Sequence, residues 1–172
     1  MWRSLGFLYV ALFVPLGGAA YAQESALGAL AGVDSVYILA EQTSALLVQA
    51  GINDTTLAES ATKIMSRANI VLTDHDQWLG SRGGTYLYVR ANAVADQEAS
   101  TAAYMAVVEL RQDVQLIRDN AIHALGATTW RSSVLGVVPV SRLADQVRES
   151  MPRLIREFLA AYEAANPGTS VR

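Results

Sequence analysis

The sequence predicts an α+β fold: a two-layer sandwich with a mainly antiparallel sheet of about five strands and two helices packed on one face. Three observations lead there. Residues 102–117 alternate apolar and polar side chains, the period of a strand with one packed and one wet face. Residues 142–165 carry Leu143, Val147, Met151, Leu154, Phe158 and Tyr162 at helical spacing. Residues 55–68 repeat that spacing with Leu57, Ala61, Ile64, Met65 and Ala68, behind Asn53 or Asp54 as a cap.

The chain has 172 residues, the size of one domain, with 52% hydrophobic and 17% charged side chains, so it can bury a core. Residues 1–22 have the three parts of a secretory signal: Arg3 at the start, an apolar run from Leu5 to Leu16, and Ala20-Tyr21-Ala22 before Gln23. Cleavage before Gln23 is the expectation, with an uncleaved anchor as the alternative, and the mature protein is placed in the periplasm or outside the cell. Residues 23–33 read as an Ala/Gly-rich lead-in, 34–167 as the domain and 168–172 as a tail.

Within the domain, residues 33–40 have apolar side chains on both faces, which suits a strand inside a sheet. Residues 45–50 are a loose apolar patch ended by Gly51, 70–72 a short apolar strand, and 74–84 a polar loop. Residues 85–94 place Leu87, Val89, Ala91 and Ala93 on one face and Tyr86, Tyr88, Arg90 and Asn92 on the other. In the strand over 102–117, Tyr104, Ala106, Val108 and Leu110 oppose Glu109, Arg111, Asp113 and Gln115, so Leu110→Asp should unfold the domain and Arg111→Asp should be tolerated. A strand over 124–134 follows, and short polar linkers at 95–101 and 118–123 make a meander the economical topology. Pro152 should bend the final helix, and Asn166-Pro167-Gly168 stops it.

The segments AGINDTTLAESATKIMSRANIVLT, GGTYLYVRANAV, YMAVVELRQDVQLIRD, TTWRSSVLGVV and FLAAYEAANP form a pattern spread over most of residues 34–167. It resembles a set of small exported bacterial proteins of unassigned function. The resemblance implies a shared fold and supplies no activity and no site residues.

Candidate chemistry is thin. Asp74-His75-Asp76 lacks the ligand spacing of a metal site and reads as a solvated turn. His123 has no acidic neighbour closer than Asp119. Gly80-Ser81-Arg82-Gly83-Gly84 precedes a strand, whereas a phosphate cradle precedes a helix. Glu109 and Asp113 flank Arg111 as a solvated charge ladder. With no cysteine there is no disulfide, lipid-modified cysteine or thiolate chemistry. These readings give no enzyme, no cofactor and no metal.

The net charge is −3, one unit more negative once Arg3 is removed, and basic residues do not cluster, which disfavours nucleic acid and anionic lipid. Direct membrane insertion after cleavage is not expected either. Tyr86, Tyr88 and Arg90 form a possible protein-interaction face, since Tyr and Arg are enriched at interfaces. The other reading has the second helix cover them. The function expected is that of a non-catalytic binding or accessory subunit of a periplasmic or membrane-associated complex, its partner another envelope protein. The alternative is a carrier of a small apolar ligand or lipid, with room beside Ala91, Ala93 and Ala106.

Overall fold

The computed structural model describes residues 28–68, 70–81, 83–95 and 100–167; the expected signal segment, the beginning of the expected lead-in and the expected tail lie outside the described residues. The chain runs β1 (Ser35–Ala40), α1 (Ala45–Gln49), α2 (Asp54–Met65), β2 (Val71–Thr73), α3 (His75–Gly80), β3 (Tyr86–Ala95), β4 (Thr101–Leu116), β5 (Asp119–Pro139), a 3-10 turn (Val140–Arg142) and α4 (Leu143–Ala165). The five strands form one sheet in the order β2-β1-β3-β4-β5. The fold is α+β, as the residue patterns predict.

The sheet is mixed and not mainly antiparallel. β1 pairs parallel with both β2 and β3, while β3–β4 and β4–β5 are antiparallel. The reason lies in the connections. The chain between β1 and β2 carries α1 and α2, and such a crossover returns the next strand in the same direction. The meander holds for β3, β4 and β5. The chain also has four α-helices among the described residues instead of two. The patch at 45–50 is α1, whose Leu47 is fully buried. The polar loop contains α3, because Asp74 accepts from Gln77 N at 2.8 Å while Gln77 Oε1 accepts from Asp74 N at 3.2 Å, a complete capping box.

Helices α2 and α4 supply the layer on the sheet's inner face. Asn53 caps α2, accepting from Thr56 N at 2.8 Å, and Leu57, Ala61 and Met65 face inward. They join one core with Leu87, Val89, Ala91 and Ala93 of β3, Tyr104, Ala106, Val108 and Leu110 of β4, and Leu143, Val147, Met151, Leu154, Ile155, Phe158 and Tyr162 of α4. Trp130 of β5 meets Phe158 edge-on, with ring centroids 5.3 Å apart. Ala91, Ala93 and Ala106, where the sequence suggests room for a ligand, are packed into this core. Gly136 faces Tyr104 across the β4–β5 ladder, and a Cβ there would come within 2.8 Å of the Tyr104 ring. The bare backbone lets the ring lie flat on the strand.

The start of the domain is tied to its end. Leu30 and Val33 are buried, Tyr162 Oη donates to the Val33 carbonyl at 2.9 Å, and Asn166 Nδ2 donates to the Leu30 carbonyl at 3.0 Å. Burial, and next the Asp34 carboxylate, push the Tyr162 phenol above its ordinary value of 10.0. The neutral phenol is therefore favoured by folding. Its contribution is fully present below pH 10.0 and is lost as pH rises through the higher folded value. Tyr162→Phe should cost about 1 kcal/mol at pH 7 and flatten the alkaline fall in stability, measured by urea unfolding between pH 7 and 11.

Candidate functional site

The outer face of the sheet is lined by alternate residues of four strands. Register places Tyr37 of β1 beside Tyr86 and Leu39 beside Tyr88. On β3 and β4 the opposed pairs are Tyr86–Arg111, Tyr88–Glu109, Arg90–Val107, Asn92–Met105 and Val94–Ala103. β5 continues the rows with Arg131, Ser133, Leu135 and Val137. Tyr86, Tyr88 and Arg90 thus stand in one column, each half-buried, with α2 and α4 on the opposite side of the sheet.

One half of this face is a connected polar network. Tyr88 Oη donates to Glu41 Oε2, and Arg90 Nη1 lies 3.6 Å from the same oxygen. The Arg111 guanidinium sits 3.9 Å above the Tyr88 ring centroid, a cation–π contact. Arg111 also donates through Nε and Nη2 to Glu109 Oε2 at 2.8 and 2.6 Å. Thr128 Oγ1 donates to that oxygen at 3.3 Å, and Arg131 Nε approaches Glu109 Oε1 at 3.6 Å. Burial alone would lower the Arg111 pKa, but the Glu109 carboxylate and the Tyr86 hydroxyl outweigh it and hold the group above its ordinary value.

This network corrects the reading of Glu109, Arg111 and Asp113 as a solvated ladder. The Glu109 side chain is only 9% exposed, because the tyrosines and arginines around it are long enough to roof it. Val107, on the same outer face, is likewise buried. Strand period assigns a face but not how far flanking side chains cover it.

The other half is apolar. Val94, Leu135 and Val137 are 71%, 78% and 70% exposed, with Ala103 and Met105 between them. Alternation places these residues outward, and a wet face would ordinarily carry polar groups there.

A third feature lies at the corner formed by α3. Trp78 stacks on Tyr37 with centroids 5.2 Å apart and meets Tyr86 edge-on at 5.5 Å; His75 lies 5.6 Å from Trp78. His75, which the sequence places in a turn, is thus held by aromatic rings, while Asp74 caps the helix. No group of three His, Asp or Glu among the described residues is placed to hold a metal ion. Beyond Arg111, β4 and β5 continue past the end of β3 as a two-stranded arm, where the sequence suggests a linker at 118–123. Ile117 is fully exposed near the tip, and His123 pairs with Gln115 along the arm. At the arm's base Gly126, at φ 61°, lets the Tyr86 hydroxyl approach to where a Cβ would be 2.8 Å away. The α3 cluster was legible only through the Asp74–Gln77 capping spacing, and the arm not at all.

A separate groove of about 340 Å³ lies between α2 and α4, lined by Ile52, Leu57, Val147, Met151 and Pro152 with Arg148 at its edge.

No family model matches the sequence, and no curated protein matches it. Among solved structures, a dodecamer of a PelC variant from Paraburkholderia phytofirmans is similar over 77% of this chain and 90% of that one, at 13% identity and a TM-score of 0.43.

Proposed function

We propose that this chain is an exported, non-catalytic binding or accessory subunit that docks on another envelope protein through the outer face of its sheet. The observation carrying this reading is the exposed apolar strip of Val94, Leu135 and Val137 beside an ordered arginine-rich network. The strip offers area whose burial is favourable, and a fixed charged neighbour gives direction to the contact. Three guanidinium groups, Arg90, Arg111 and Arg131, stand there against Glu41 and Glu109. The partner surface therefore presents apolar side chains flanked by carboxylates. Among the described residues no helix is long and apolar enough to cross a membrane.

The test places a photo-crosslinking residue at Leu135, and in a second variant at Glu149 on the exposed side of α4, in the native host. A discrete heterologous adduct is expected from Leu135 alone, lost when Arg131→Glu is added. An adduct between two copies of this chain, equal labelling from both positions, or no adduct would overturn the docking reading. A second reading, carriage of a small apolar ligand, is favoured by the groove between α2 and α4. Recovery of a stoichiometric apolar compound by solvent extraction, lost with Met151→Trp, would support it.

A further inference from the structure

We propose that the cavity between α3 and the base of the β4–β5 arm binds an ammonium or guanidinium group carried on a short apolar body. This site shares Tyr86 with the outer face of the sheet, but the proposal does not depend on the docking reading. The cavity holds about 350 Å³, at the small end of the range for ligand pockets. Its walls have distinct chemistry. Trp78 and Tyr86 make a corner, their ring planes 75° apart and their centroids separated by 5.5 Å. Aromatic faces carry partial negative charge and attract organic cations. Asp113 is the charged side chain among the described lining residues.

The Asp113 carboxylate is held in place. Its backbone N–H donates to the Gly83 carbonyl at 3.0 Å, and its Oδ1 accepts from Gly126 N at 2.9 Å. It has no ion-pair partner among the described residues. The neighbouring guanidinium, Arg111, is engaged by Glu109 and Tyr88. One fixed carboxylate oxygen beside two aromatic side chains offers an organic cation a charge partner and cation–π attraction together. The Trp78 indole N–H, which is shielded from solvent and has no hydrogen-bond partner, gives a local reporter at this corner. The lining residues Leu79 and Leu125 are 64% and 79% exposed and can hold the apolar body.

The same chemistry can arrive as a free amine or as a Lys or Arg side chain, and the measurement separates these sources. Purified ¹⁵N-labelled protein is titrated with n-butylammonium, with N-acetyl-lysine methylamide and with N-acetyl-arginine methylamide, following the Trp78 indole N–H resonance. At least one cation should give a saturable shift, weakened at least tenfold by Asp113→Asn. That variant keeps the acceptor for Gly126 N, so its melting temperature should match the wild type. Saturation by n-butylammonium alone identifies a free amine, and saturation by an acylated amino acid identifies a side chain. The control is n-butanol, which keeps the apolar body without the charge and should give no saturable shift. Saturation by n-butanol over the same range, an unchanged affinity in Asp113→Asn, or no saturable shift from any of the three cations would overturn the proposal.

Discussion

Truncation after Val140 should leave a chain that no longer melts cooperatively. The lost helix contributes Leu143, Val147, Met151, Leu154, Ile155, Phe158 and Tyr162 to the core, all 3% exposed or less. At roughly 1.5–3 kcal/mol per buried apolar side chain, their removal withdraws on the order of 10–20 kcal/mol before entropy is counted. A domain's net stability is about 5–15 kcal/mol. The sheet would also expose the inner face of β4, with Tyr104, Ala106 and Val108, to water. A finer version is Phe158→Ala, expected to cost about 3–5 kcal/mol, because the cavity also strips Trp130 of its edge-on partner. Circular dichroism and thermal melting check both. A truncated protein with a sharp transition near the full-length temperature would make α4 an appendage.

Leu110→Asp and Arg111→Asp should both be severe, although the two side chains point to opposite faces of β4. Leu110 is fully buried opposite Trp130, and a lone carboxylate there costs several kcal/mol. Arg111→Asp brings a second negative charge to Glu109, whose side chain is 9% exposed and would keep Arg131 at 3.6 Å as its cation, with the Thr128 hydroxyl at 3.3 Å. Breaking such a pair costs about 3 kcal/mol or more, because the remaining charge stays buried. The decisive comparison is Glu109→Leu with Arg111→Met in one chain. Removing both charges together should recover more than half of what Arg111→Asp loses in urea unfolding, since no unpaired carboxylate remains. A double variant as unstable as the single would show that the arginine's packing, not its charge, holds the network.

The long elements were legible in the sequence because burial repeats along them: β3, β4, α2 and α4 each present one apolar face over several turns or pleats. Short ones were not, since five residues of α1 and six of α3 carry too few repeats to separate helix from loop. Strand direction was also hidden: no residue pattern in Val71–Thr73 states that it runs parallel to β1. On the outer face, the column Tyr86, Tyr88 and Arg90 was visible from alternation. Its partners were not, because Glu41, Glu109 and Arg131 come from strands and loops distant in sequence. The cavity beside Asp113 depends on Trp78 of α3 docking on Tyr37 and Tyr86 near the base of the arm, a tertiary event that local spacing does not encode.

The bonds between the two ends of the domain set the order in which it can be completed. Tyr162 reaches Val33 across 129 residues, and Asn166 reaches Gly32 and Leu30 across 134 and 136. Contacts of such separation pay the largest loop-closure entropy and form late. The hairpins of β3, β4 and β5 can assemble from neighbouring residues while the rest is still being made. The stretch before β1, Leu30 to Val33, has no finished seat until α4 has been synthesised and laid down. A growing chain therefore stays open at Leu30 to Val33 until its last helix arrives.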